Sequence, residues 1–222
     1  MIPIKDDIPT VHPPVLTVGL IVVNVAVYLY EFALGPHAER LVLKYGAVPS
    51  VLIHFTTLTP GIVLTVFTSM FLHGGWFHVG SNMLFLWIFG NNIEDKLGHV
   101  RFLVFYLVSG VVAVLAFVVT HPHAQVPLVG ASGAVSGLLG AYVVAFPRAR
   151  VLTLIWVFFF VRLVWLPAVF FLGFWLILQL LYGLPTLGGG TSGVAYLAHV
   201  GGFVFGMVYC RFSRLWQRNR RA

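Results

Sequence analysis

The chain has 222 residues, 59% of them hydrophobic and only 9% charged. A soluble domain carries about 25% charged residues, so a water-facing globule is excluded and one membrane-embedded unit is the simplest organisation. The formal charge of +7 does not point to nucleic acid, because five of the thirteen basic residues (Arg211, Arg214, Arg218, Arg220, Arg221) crowd into the last twelve positions, a juxtamembrane tail suited to anionic lipid headgroups.

Six apolar runs approach the roughly 20 residues that cross a bilayer. The first is Val15–Leu34, behind Pro13-Pro14 and with Asn24 inside it. The leading segment sets Asp6 and Asp7 against one lysine, unlike a signal peptide, and residues 1–14 are expected to be a cytoplasmic tail. The second run is Trp76–Ile93, polar at His78, Ser81 and Asn82; the third is Phe102–Thr120, closed by His121-Pro122. The fourth, Ser132–Phe146, ends before Pro147-Arg148; the fifth is Pro167–Gly183; the sixth is Val194–Phe212. Residues 15–212 are thus expected to form the membrane domain and 213–222 a basic cytoplasmic tail. Two runs of eleven residues are too short to cross. Ile62–Leu72 is expected to be re-entrant or interfacial, and Val151–Val161 to lie at the inner surface. The single cysteine, Cys210, allows no internal disulfide.

The expected class is an all-α polytopic membrane protein of six spans. With the N-terminus inside, eleven basic residues fall on inner loops and only Arg40 and Lys44 outside, so both termini are expected to be cytoplasmic. Fifteen helical residues extend roughly 22 Å, short of the roughly 30 Å hydrocarbon core. If Arg148 and Arg150 hold the inner end of span four, Ser132 at its outer end is submerged yet nearer the outside.

Span four presents Gly133, Gly137 and Ala141, and span six presents Ala198, Gly202 and Gly206; such small-residue stripes let helices approach closely in lipid. Ser132 adjoins one stripe and His199 the other, so close contact brings hydroxyl and imidazole within hydrogen-bonding reach. Histidine then acts as general base toward serine. Stripes and a serine alone are consistent with plain helix packing, but an ionisable residue inside a span is functional by default. His78 and Asn82, four apart on one helical face, can supply N–H donors to an oxyanion together with the Ser132 backbone N–H. Zinc bound by His73, His78 and His199 is disfavoured, because the chain has no His-Glu-x-x-His and no nearby carboxylate base.

These residues are similar to those of the rhomboid family of intramembrane serine proteases. The resemblance runs from about Thr65 to Gly206 and is carried by FLHGGWFHVGSNMLFLWIFGNNIEDKLG at 71–98, GASGAVSGLLGAY at 130–142 and AHVGGFVFG at 198–206. It implies a bundle with a short central fourth helix and a first loop that dips into the outer leaflet. It further implies Ser132 as nucleophile, His199 as general base, and His78 and Asn82 at the oxyanion. His73 matches a structural position in the first loop, Glu94 an acidic residue that ties helix ends together, and Gly130, Gly133, Gly202 and Gly206 structural positions. Where some members stack an aromatic residue on the histidine, this chain has Ser136, so His199 needs support from elsewhere.

The expected function is cleavage of peptide bonds in or near transmembrane segments of other membrane proteins, without a cofactor or metal. The expected partners are such substrates and membrane lipids, not nucleic acid. The expected location is a bacterial inner membrane with the site opening outward; the first loop and the fifth helix are both candidate gates. The alternatives are a non-catalytic binder of membrane clients, and a transporter. A transporter would distribute polar residues through the membrane depth, whereas these fall toward one side.

Overall fold

The computed structural model describes residues 1–54, 59–157, 159–187 and 194–213. It is mostly helical. Strand β1 (Ile2–Asp6) precedes helix α1 (Val15–Leu34); α2 (Ala38–Tyr45), α3 (Pro49–Leu52) and α4 (Pro60–Thr68) follow. Then come α5 (Trp76–Phe85), a wider π turn at Leu86–Gly90 that leads without a break into α6 (Asn91–Leu97), and α7 (His99–Thr120). Helix α8 (Ser132–Ala145), strands β2 (Arg150–Val157) and β3 (Phe160–Pro167), α9 (Ala168–Gly183) and α10 (Tyr196–Phe212) complete the order.

Among the described residues, three helical stretches are long and apolar enough to cross a bilayer by themselves: Val15–Tyr45, His99–Thr120 and Ala168–Thr186. Pro60–Phe71 and Trp76–Leu97 meet at 82° and pass the same test as a broken pair. Helices α8 and α10 are shorter, at 14 and 17 residues. The pattern of exposure shows that lipid is the solvent. In α1 the buried face carries Thr17, Asn24, Tyr28 and Glu31 with Leu20, while Val22, Leu29 and Phe32 are exposed. Polar side chains must find partners inside the protein when the surroundings are hydrocarbon, so polarity collects inward at helical spacing.

Helices α8 and α10 cross in backbone contact. A β-carbon added to Gly206 would overlap the Gly137 carbonyl oxygen, one on Gly202 would overlap that of Gly133, and one on Gly140 would overlap that of Phe203. The far side of α8 meets α7, where a β-carbon on Gly137 would strike the Ser109 side chain. The core around this crossing is apolar and aromatic, with Leu138, Leu139, Tyr142, Phe89, Phe171 and Phe203 among its buried members. In lipid there is no hydrophobic drive to bring helices together, and close dispersion contact of this kind takes its place.

The expected all-α class needs correction. Strands β1, β2 and β3 form one antiparallel sheet in that order, with Ile2 opposite Leu154, Asp6 opposite Val151, and Arg150 opposite Pro167. The run read as an apolar inner-surface segment is therefore half of a hairpin. Pro147 follows the end of α8, and the residues beyond it are rich in Val, Phe and Trp, which suit a pleated surface. The N-terminal residues, expected as a tail, supply the third strand. Asp6 secures it to the helices: its carboxylate accepts from the Tyr142 hydroxyl of α8 and from Asn92 Nδ2 of α6. Most of the basic tail, at Arg214, Arg218, Arg220 and Arg221, lies outside the described residues; Arg211 sits in the last turn of α10.

Candidate functional site

Ser132 is the first residue of α8, behind Gly130 and Ala131. No side chain caps this helix, so its first-turn N–H groups are left over by helix geometry and lend positive potential to the serine's surroundings. Gly130 holds φ +120°, and a β-carbon there would collide with the His78 imidazole. Only glycine combines that backbone angle with so close an approach. His78 is thereby seated directly against the loop that delivers Ser132.

His199 lies on the first turn of α10, four positions before Phe203, and is 9% exposed. Its Nε2 stands 2.8 Å from Ser132 Oγ, the distance at which a hydroxyl donates to an imidazole nitrogen. The other ring nitrogen, Nδ1, stands 2.8 Å from Gln179 Oε1 on α9. Trp175, one turn earlier on α9, places its ring 6.0 Å from the imidazole, centroid to centroid. Ser136, at the position where an aromatic support is missing, donates instead to the Ser132 carbonyl at 2.6 Å.

Asn82 faces the same cavity from α5. It is 6% exposed, and its Nδ2 has no hydrogen-bond partner among the described residues. Burying an amide N–H without an acceptor costs about 1–3 kcal/mol. The cavity has a volume of about 1140 Å³ and is lined by Ser132, His199, His78, Asn82, Gln179 and Trp175 and by the 121–130 segment.

His73 does not take part in the pair. It is buried at 3% exposure; its backbone N–H donates to Glu31 Oε2 of α1 at 3.1 Å, and its ring meets His78 edge-on at 5.1 Å. Glu94, in α6, is remote from the cavity. Its carboxylate accepts from the N–H groups of Leu16 (2.8 Å) and Thr17 (2.7 Å) at the start of α1, and contacts His99 Nδ1. Among the described residues no three His, Cys, Asp or Glu side chains gather as a metal ligand set.

Gln179 and Trp175 are the members of the site that the sequence reading missed. The available signal was the polarity of Gln179, a lone amide in the otherwise apolar run of span five. A polar side chain at membrane depth needs a partner, and the unsupported His199 was the partner to look for.

The sequence profile described as "Rhomboid domain" matches residues 60–214. Rhomboid protein 1, mitochondrial, of Saccharomyces cerevisiae is 30% identical over 211 residues, covering 89% of this chain and 53% of that protein. The human presenilin-associated rhomboid-like protein, mitochondrial, is 28% identical over 209 residues, covering 90% of this chain and 49% of that protein. Rhomboid protease GluP of Bacillus subtilis is 34% identical over 114 residues, covering 51% of this chain and 21% of that protein. The chain spans about half, or less, of the length of these three relatives.

Proposed function

The chain belongs to the rhomboid family, and from that premise we propose that it is an intramembrane serine endopeptidase with Ser132 as nucleophile and His199 as general base. The observation that carries this reading is the 2.8 Å approach of Ser132 Oγ to His199 Nε2 on the wall of a cavity large enough for a peptide segment. The name of the Bacillus relative, a protease, agrees with it.

The chemistry follows from the residues. As Ser132 Oγ bonds to the scissile carbonyl carbon, its proton passes to His199 Nε2. The carbonyl oxygen becomes an oxyanion, for which His78, the unpartnered Asn82 Nδ2 and the Ser132 backbone N–H are the donors. Such preorganised donors are worth about 2.7–4 kcal/mol each in acyl transfer. The C–N bond then breaks, with the Nε2 proton leaving on the amine. Water repeats the sequence on the acyl-enzyme, regenerating Ser132 and releasing the carboxylate.

Membership of the family and the lipid-facing apolar surfaces make this a membrane protein. In our reading its spans are six: α1, α5 with α6, α7, α8, α9 and α10, with residues 15–212 as the membrane domain. At 14 residues, α8 is roughly 21 Å long and leaves Ser132 below the outer surface. The eleven-to-two distribution of basic residues supports both termini on the cytoplasmic face and the cavity toward the opposite side of the membrane. Substrates are membrane proteins whose transmembrane helices carry Gly, Pro or other weak points, because a helical carbonyl must lose its hydrogen bond before it can be attacked.

The test is cleavage of a tagged single-span substrate by the purified chain. Wild type is expected to release two fragments, and Ser132→Ala and His199→Ala none. Capture of intact substrate by all three, with no cleavage by wild type, would replace the protease with a client-binding protein.

A further inference from the structure

We infer that Gln179 is a positioning residue that keeps the His199 proton on Nδ1, so that Nε2 is bare where Ser132 needs a base. The inference rests on the protease reading above and deepens it. A neutral imidazole carries one proton on one of two nitrogens, and the partner at each nitrogen decides which. At Nε2 the partner is Ser132 Oγ, a hydroxyl that can donate or accept, so it dictates nothing. At Nδ1 the partner is an amide side chain, whose two ends act oppositely: the oxygen accepts, the NH2 donates.

The orientation of that amide follows from its second contact. Gln179 Nε2 lies 3.2 Å from the Trp175 carbonyl oxygen, one helical turn back on α9. A carbonyl can only accept, so the NH2 belongs on that side. The oxygen is thereby turned to His199 Nδ1 at 2.8 Å, and a pure acceptor there requires Nδ1 to carry the hydrogen. The chain of dependence runs from Trp175 O through Gln179 to His199 and ends at Ser132. All of it is at least partly buried, with His199 and Gln179 9% and 8% exposed.

The same bond serves the step that follows. Once Nε2 has taken the Ser132 proton, the imidazolium donates at both nitrogens, and Gln179 Oε1 goes on accepting from Nδ1 with no rearrangement. A neutral amide thus fills the place of a third, orienting group. In a charged Ser-His-Asp triad, exchanging the orienting carboxylate for an amide drops kcat by about 10⁴ because the wrong tautomer results. Here the amide is fixed the other way round, and its loss leaves the proton unplaced rather than misplaced, which sets a smaller effect of roughly 10- to 100-fold.

The experiment compares the full chain with Gln179→Leu and Gln179→Glu, purified in detergent and matched for thermal unfolding. A fluorophosphonate reports on Ser132, and cleavage of a single-span substrate gives kcat and KM. Gln179→Leu is expected to lose roughly 10- to 100-fold in kcat with KM little changed. Gln179→Glu, which restores an oxygen acceptor, is expected to recover most of that loss. Histidine ¹⁵N spectra, assigned for His199 with His199→Ala, are expected to show the proton on Nδ1 in wild type and redistributed in Gln179→Leu. Wild-type kcat in Gln179→Leu overturns the inference, and so does Gln179→Glu as impaired as Gln179→Leu, since that marks packing rather than an acceptor. If the fluorophosphonate labels no form, the protease reading itself fails; the ¹⁵N spectra still decide where the proton sits.

Discussion

Glu94→Ala is expected to unfasten the first helix from the rest of the bundle. Helix α1 begins at Val15 behind Pro14, and no residue of its own caps it. The free N–H groups of its first turn are met instead by a carboxylate 78 and 77 positions away, at 2.8 Å to Leu16 and 2.7 Å to Thr17. A hydrogen bond to a charged group contributes about 1.5–3 kcal/mol net, and the carboxylate also complements the positive helix end. Two such bonds give at least about 3 kcal/mol for Glu94→Ala at the lower value per bond, since Thr17 and Glu94 are buried and only Leu16 is half-buried. Glu94→Gln keeps one acceptor oxygen and sets an NH2 against the other N–H, so about 2 kcal/mol is expected. Reversible unfolding in mixed micelles measures the loss, and amide exchange localises it to Leu16 and Thr17. An unfolding free energy for Glu94→Ala within 0.5 kcal/mol of wild type, about a third of one such bond, would refute the reasoning, as would exchange that rises uniformly along α1.

Asn82→Leu is expected to split stability from activity. It removes a buried donor with no partner and so stabilises by up to about 1–3 kcal/mol, while kcat falls by roughly 10²–10³ as one oxyanion donor is lost; thermal unfolding and substrate cleavage read the two. Gly206→Ala is expected to cost about 1–3 kcal/mol by forcing α10 off the Gly137 carbonyl and to lower kcat with it, whereas Gly19→Ala, where an added β-carbon meets nothing within 4 Å, stabilises by roughly 0.5–1 kcal/mol. Burial, with the neighbouring Asp7 charge, pushes the Asp6 carboxyl above the usual carboxylate range, against the Tyr142 bond that lowers it. The folded chain therefore holds this proton more tightly than the unfolded one, and the associated stability, full below about pH 4, is lost as pH rises through the raised value; Asp6→Asn should flatten that slope in unfolding midpoints measured against pH.

The helices were legible because hydropathy alone marks them: the start of α1 at Val15 and of α8 at Ser132 can be counted off the sequence. The approach of α8 to α10 was legible in part: Gly202 and Gly206 do meet the carbonyls of Gly133 and Gly137, but added β-carbons on Gly133 and Gly137 would strike Ala113 and Ser109 of α7 instead. The sheet was not. An apolar run of eleven residues has no periodicity that separates a strand from a buried helix, and the partner strand β1 is some 150 residues away. Gln179 escaped for a related reason: one amide in an apolar helix forms no pattern, and its meaning depends on His199, 20 positions on. Glu94 shows the limit of spacing most clearly. Nothing local couples it to Leu16, and only a likeness to related sequences pointed to a helix-tying role.

The most direct measurement is intact mass and peptide mapping of the purified chain after treatment with a serine-reactive fluorophosphonate. A single adduct per chain is expected, carried by Ser132, slowed sharply in His199→Ala and absent in Ser132→Ala. An adduct spread over several hydroxyls, or one on Ser132 that forms at the same rate without His199, would contradict it.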